Sequence, residues 1–247
     1  AEYASRIPEV PLAVGADRIA AIAALKDPPG SIVLDDGFQH RRVHRDLDIV
    51  LVDAVHSGLD RGMLPSGPRR EPRSALRRAD AVVVTRASEV DPVLAAEIER
   101  HHGRPPLAWT RHAWTGLTSH HRGVESTRPV SDLDGRRVAT VFGVGNPASI
   151  RRSIEAVGGI VVHDVAVRDH AAYDATRVSA IVEAAGAAGA EAIVTTLKDW
   201  VKIGRHADRL GDLPMLVPTL EIEFLAGKAA FFEAVDATVA GAAPGSG

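Results

Sequence analysis

Residues 31–54 read SIVLDDGFQHRRVHRDLDIVLVDA. Two short apolar runs rich in β-branched residues, 31–34 and 48–52, flank a loop carrying Asp35, Asp36, Gln39, His40, Arg41, Arg42, His44 and Arg45. The pattern predicts strand, charged loop, strand. Continuous apolar runs of this length suit strands buried on both faces, so a parallel sheet covered by helices is expected. Ligands of such sheets bind beyond the carboxyl edge of the strands, which is where Asp35 and Asp36 would lie.

Two carboxylates leaving a buried strand need compensation for their charge. A hard cation such as Mg²⁺ provides it, taking one or two carboxylates and filling its other positions with water and phosphate oxygens. Nucleotide-binding P-loop enzymes hold their metal on a strand-then-Asp pattern of this kind. Asp-Asp-Gly is also ordinary turn chemistry, and on spacing alone the two readings stand level. The Gln39-His40-Arg41-Arg42 run a few residues further on tips the balance, because a plain turn has no use for it.

Working outward, residues 10–14 are expected as a strand and 17–25 as a helix, with Arg18 at the junction where a guanidinium meets phosphate oxygens in a fork. A surface arginine on a first helical turn is the plainer reading. Residues 55–67 form a Gly- and Pro-containing loop, and 68–78 carry five arginines around Glu71. Arginines clustered there suit an anionic substrate or a transferring phosphoryl group, although a solvated basic face is the commoner meaning of such a run. A strand follows at 81–85 and an amphipathic helix at 91–101. Residues 103–137, with Pro105, Pro106 and two tryptophans, read as a linker holding extended segments. Its adjacent His120 and His121 lack metal-ligand spacing and are expected in solvent.

Strand and helix then alternate again: strands at 138–142, 160–167, 192–196 and 214–222, helices at 148–157, 174–188, 198–203 and 227–239. That alternation means a second α/β lobe. The domains expected are 1–104, a linker at 105–137, and 138–240. Gly143-x-Gly145-x-x-Ala148 lies between a strand and a helix, in the form of a dinucleotide-binding turn, and Asp164 stands where a ribose-binding acid would. This supports a rival reading, a dinucleotide-binding oxidoreductase or a non-catalytic nucleotide-binding module. Asn146-Pro147 weakens it by placing a ring where a backbone donor is wanted.

Composition narrows the classes. The chain has 247 residues, 45% apolar and 25% charged, as ordinary globular proteins do. A net charge of -3 gives no support for a nucleic-acid partner. With no cysteine there is no disulfide, thiolate zinc site or cysteine nucleophile. No apolar run is long enough to span a membrane, and no secretory leader is seen. Because the first residue is Ala1, the chain is expected to begin inside a longer or processed gene product.

The segment DDGFQHRRVHRDLDIVLVDA, together with LPSGPRREPRSALRRADAVVVTR at 64–86, closely resembles the tetraacyldisaccharide 4'-kinases, the lipid A 4'-kinases of Gram-negative bacteria. VGADR at 14–18, VFGVGNP at 141–147, RDHAAY at 168–173 and TTLKD at 195–199 extend the resemblance over most of the chain. It implies an incomplete P-loop NTPase-like parallel sheet followed by a linker and a smaller α/β lobe. It also implies ATP and Mg²⁺ as cofactors, Asp35 and Asp36 as metal ligands, and Gln39 and His40 near nucleotide or acceptor sugar. Arg18, Arg70 and Glu71 would contact phosphate or substrate. His170 would work with an aspartate as a dyad that takes the proton of the sugar 4'-hydroxyl, a task suited to a group titrating near working pH, and Asp36 is the other catalytic residue implied.

The implied reaction is ATP-dependent phosphorylation of a lipid A disaccharide precursor, tetraacyldisaccharide 1-phosphate, at the cytoplasmic face of the inner membrane. No G-x-x-x-x-G-K-[ST] loop occurs; 62–67 has the glycine spacing but continues Pro68-Arg69. In the family that loop, the dyad aspartate and a membrane-binding segment lie upstream of the matched region. The chain therefore resembles roughly the C-terminal two thirds to three quarters of such a kinase and is expected to transfer phosphate poorly alone. TTLKD carries Leu197 where the family has an acidic residue, leaving a helix-start packing role as open as a catalytic one for that segment. A degenerate paralogue without nucleotide is a third reading.

Overall fold

The structure is a computed structural model that describes residues 7–25, 29–59, 62–63, 70–143, 147–167 and 173–241. It forms two compact units, Ala1–His112 with Ile222–Gly247, and Ala113–Glu221. The chain passes between them along two strands, β3 (Ala108–His121) and β8 (Met215–Ala226).

In the first unit, helix α1 (Arg18–Ala23) precedes β1 (Ile49–Asp53), β2 (Ala81–Thr85) and α2 (Pro92–His102). β1 and β2 run parallel and in step from Ile49↔Ala81 to Asp53↔Thr85, and β2 continues parallel to β3 through Val83↔Ala108. α2 starts where its sequence says it should. The Asp91 carboxylate accepts from the N–H groups of Val93 (2.8 Å) and Leu94 (3.2 Å), and Pro92 supplies a preset first turn. Its buried Leu94, Ile98 and His102 recur every four residues and so face one way. Leu94 and Ile98 pack with Val52, Val82, Val84 and Trp109 in one core. The closing helix α6 (Lys228–Gly241) lays Phe231 and Phe232 against Phe224, with ring centroids 5.4 and 5.9 Å apart.

The second unit holds the hairpin of β3 with β4 (Val124–Arg128) and a parallel set ordered β8-β7-β5-β6. Its remaining elements are β5 (Arg137–Phe142), α3 (Pro147–Ala156), β6 (Ile160–Ala166), α4 (Ala175–Ala187), β7 (Ala192–Thr195) and α5 (Leu197–Ile203). Successive residues of β7 enter different cores. Ile193 joins Val141, Val178 and Ile181, whereas Ala192 and Val194 join Val138, Ile154 and Leu216. That is the two-sided burial that near-continuous apolar strands foretell.

Two expectations need correction. Residues 10–14 and 31–34 are not strands; Val14 and Val33 are 87% and 95% exposed. A strand must pair its backbone N–H and C=O groups with a neighbouring strand, and among the described residues no strand pairs with these segments. The extended segments expected within 103–137 are the paired β3 and β4, with Trp109 and Leu117 buried along β3. His120 and His121 are not solvated. His120 stacks on Trp200 with ring centroids 4.0 Å apart, and the His121 Nε2 atom is buried. Burial pulls the His120 pKa down against the opposing charge of Glu125.

Candidate functional site

The Asp35-Asp36-Gly37 segment forms a tight turn. Asp36 adopts a left-handed backbone (φ 51°), rare outside glycine, and His40 N–H closes on Gly37 O at 2.9 Å. Gly37 is needed there: a Cβ would sit 2.7 Å from Leu34 Cβ. The loop beyond is clasped by Arg45. Its guanidinium donates to both Asp48 carboxylate oxygens (2.6 and 3.0 Å) and to the carbonyls of His40 (2.7 Å) and Val43 (3.0 Å). Of the basic residues in this loop, Arg45 is therefore structural.

The turn and the arginine-rich segment after residue 69 come together. Arg70 Nη1 donates to Asp36 Oδ2 at 3.0 Å and to Gln39 Oε1 at 3.4 Å, all at the solvent surface. Beside them, Arg18, Gln39 and His40 line a concave pocket of about 520 Å³, with Asp17, Arg41 and Arg42. Asp17 fixes Arg18 in place by capping α1, accepting from Ile19 N–H (3.0 Å) and Ala20 N–H (3.2 Å). The Arg18 guanidinium itself donates to Gly15 O.

Glu71 turns elsewhere. It takes a two-pronged ion pair from Arg78 (2.6 and 3.1 Å), and Arg78 also lies 4.5 Å over the Phe38 ring. The Arg78 hydrogen bonds hold the Glu71 carboxyl below its usual range, overcoming the effect of burial. Glu71 thus anchors an arginine against the loop. His170 lies outside the described residues, as does most of the 143–148 glycine turn.

Asp35 and Asp36 are consecutive in sequence and both exposed, and carboxylates are the donor chemistry of a hard cation. Among the described residues no third carboxylate or histidine joins them in a group able to hold a metal. They fit Mg²⁺ only in its usual protein setting, where water and phosphate oxygens complete the shell.

Sequence reasoning missed two charged clusters. At the carboxyl ends of β1 and β2, Arg86 forks onto both oxygens of Asp53, which also accepts from the N–H groups of Val55 (2.9 Å) and His56 (3.3 Å). Burial works to raise the Asp53 pKa, but the Arg86 and backbone hydrogen bonds prevail and it ends lowered. A charge closing each of two neighbouring strands, VLVD and VVTR, was the available signal. The other cluster is Asp199, fully buried within TTLKD. Asp164, the acid of the dinucleotide reading, accepts from Thr140 Oγ1 at 2.5 Å and pairs with Arg151. Both of its oxygens thus already have partners within the protein.

Comparison with known proteins gives a consistent result. The family model for tetraacyldisaccharide-1-P 4'-kinase matches residues 3–240. A tetraacyldisaccharide 4'-kinase from Anaeromyxobacter sp. strain K is 35% identical over 245 residues, covering 97% of this chain and 64% of its own length. One from Geobacter sulfurreducens is 36% identical over 221 residues, covering 89% of this chain and 59% of its own. The chain thus spans under two thirds of the length of these relatives. Among solved structures, LpxK from Aquifex aeolicus in complex with ATP superposes with a TM-score of 0.52 at 22% identity, over 82% of this chain and 56% of that one. The likeness bears out the α/β fold class with its mostly parallel sheet.

Proposed function

The chain belongs to the tetraacyldisaccharide-1-P 4'-kinase family, and on that premise we propose that it serves ATP-dependent phosphorylation of the 4'-hydroxyl of tetraacyldisaccharide 1-phosphate in lipid A assembly. The observation that carries this reading is the family match running through nearly the whole chain. The meeting of Asp36, Gln39 and Arg70, beside a pocket edged by Arg18 and His40, agrees with it. The oxidoreductase reading is not favoured, since the family match runs through the glycine turn and Asp164 alike.

In this reading Asp35 and Asp36 would hold Mg²⁺, which would supply neutralisation of phosphate charge. Arg70 then exchanges its Asp36 partner for phosphate oxygens, a pairing to which its planar fork is suited. Arg18, Gln39 and His40 orient nucleotide or sugar in the pocket, while Glu71 keeps Arg78 against the loop. His170 accepts the proton of the 4'-hydroxyl. The sugar oxygen bonds to the γ-phosphorus as the bridging β–γ oxygen bond breaks, and ADP leaves with that electron pair. The pocket faces no nucleic acid in this scheme; the acceptor is a lipid, met peripherally at the cytoplasmic face of the inner membrane. Among the described residues no helix is long and apolar enough to cross a membrane.

The test is transfer of phosphate from ATP to tetraacyldisaccharide 1-phosphate by the protein at the length of its curated relatives, by the 247-residue chain, and by long Asp36→Ala and His170→Ala variants. Each substitution is expected to lower kcat/KM by about 100-fold or more, with the 247-residue chain far below the long protein. Unimpaired turnover by either variant would reject the assigned roles.

A further inference from the structure

Asp199 is 0% exposed, yet it stands in the first turn of α5, where helices usually meet solvent. Part of its role is local: its N–H donates to Thr196 Oγ1 (3.2 Å), and that hydroxyl donates back to Asp199 Oδ2 (2.8 Å). A cap alone does not require burial. The same carboxylate accepts from two groups distant in sequence, Gly143 N–H on Oδ2 (3.0 Å) and Tyr173 O–H on Oδ1 (3.2 Å). Burial and the nearby Asp199 charge push the Tyr173 phenol well above its ordinary pKa, so it stays a proton donor to Asp199.

The position of these partners gives the cluster its meaning. Gly143 follows the last residue of β5, and Thr196 follows the last residue of β7. In the order β8-β7-β5-β6 the chain leaves β5 for β6 on one side and returns past it to β7 on the other. The gap between β5 and β7 is therefore the switch point of this parallel set, the place where α/β sheets bind ligands at their carboxyl edge. Asp199 ties its two sides together. Tyr173 is the last residue of RDHAAY and lies three residues after His170 in sequence.

We propose that Asp199 is a positioning residue of the phosphotransfer reaction, acting through Tyr173 and Gly143 to fix the two segments that border this switch point. The proposal rests on the kinase reading above for its kinetic half and on the hydrogen bonds alone for its structural half. A buried carboxylate accepting hydrogen bonds from separate segments gives them one arrangement, because any other leaves a charge unsatisfied in a medium that solvates it poorly.

The experiment compares Asp199→Asn, Tyr173→Phe and Asp174→Ala in the protein at the length of its relatives. Asp174 caps α4 through Arg177 N–H at 2.8 Å, a bond separate from those made to Asp199, so its variant loses stability without losing the tie. Asp199→Asn and Tyr173→Phe are expected to lower kcat about 10- to 100-fold with KM for ATP and for disaccharide changed less than about threefold, the mark of an interaction used in the transition state. Asp174→Ala keeps kcat per folded molecule. Amide hydrogen exchange of Gly143, whose N–H donates to Asp199, is expected to quicken about tenfold or more in Asp199→Asn, with exchange in the middle of β5 unchanged.

Unchanged exchange at Gly143 overturns the proposal whatever the activity. So does a kcat loss no greater than that of Asp174→Ala in an active enzyme. An inactive unmutated protein that nonetheless shows the exchange difference would reject the kinase reading and, with it, the kinetic role of Asp199.

Discussion

Ser31-Ile32-Val33-Leu34 and Ala192-Ile193-Val194-Thr195 are nearly the same word in sequence, and the fold treats them oppositely. The second is a strand with every residue buried; the first has no regular structure and leaves Val33 95% exposed. Both have the β-branched content that favours extended backbone. Only 192–195 has neighbours, β5 on one side and β8 on the other, to take its hydrogen bonds, and cores on both faces to take its side chains. Strand propensity is thus a statement about fitting a site that other residues must build.

The largest effect that would test this contrast comes from cutting the same kind of side chain in both places. Ile193→Ala is expected to destabilise the second unit by about 2–5 kcal/mol, and Val33→Ala to change stability by no more than about 0.5 kcal/mol, as urea unfolding would show. Comparable losses at the two positions would mean that 31–34 is packed after all.

Next in size is the pairing of charges at strand ends. Arg86→Ala leaves the Asp53 carboxylate with only its backbone donors, and a loss of about 1–3 kcal/mol is expected in the same unfolding assay. The exposed Asp36–Arg70 pair belongs at the other extreme. Arg70→Ala should cost under about 1 kcal/mol of stability, so that any large fall in phosphate transfer would report on chemistry and not on folding.

The two units should also answer acid differently. In the first, Asp53 and Glu71 have folded-state pKa values below their unfolded ones, so the stability they lend is complete above about pH 4 to 5 and is lost as pH falls through the folded values. In the second, burial lowers the pKa of His120, a base, so the unfolded chain takes up its proton first and stability begins to fall as pH drops below about 6.5. Thermal melts from pH 8 to 4 are expected to show this earlier loss, and His120→Phe to remove it. A melt of the variant that keeps the loss would assign it to another group.

Elements that carry their own punctuation were legible. Residues 81–85 were placed as a strand to the residue, and α2, α4 and β5 within one or two positions, because Asp91, Asp174 and the runs of buried apolar residues act locally. Of the candidate site, the nearness of Asp36, Gln39 and Arg70 was foreshadowed by a turn and an arginine cluster flanking the same strand. The different duties of neighbouring arginines were not. Arg45, Arg70 and Arg78 look alike in the sequence, and only the position of Asp48, Asp36 and Glu71 in space separates a loop clasp from an exposed, exchangeable pair.

The sequence by itself determined an α/β chain, where most of its helices begin, and the family to which its ordered motifs point, since those depend on nearest neighbours and on the identity of residues in a row. The tertiary structure alone decided which apolar run becomes a strand and which carboxylate is buried. Backbone pairing and desolvation are settled by partners far away in sequence, as Gly143 and Tyr173 are for Asp199.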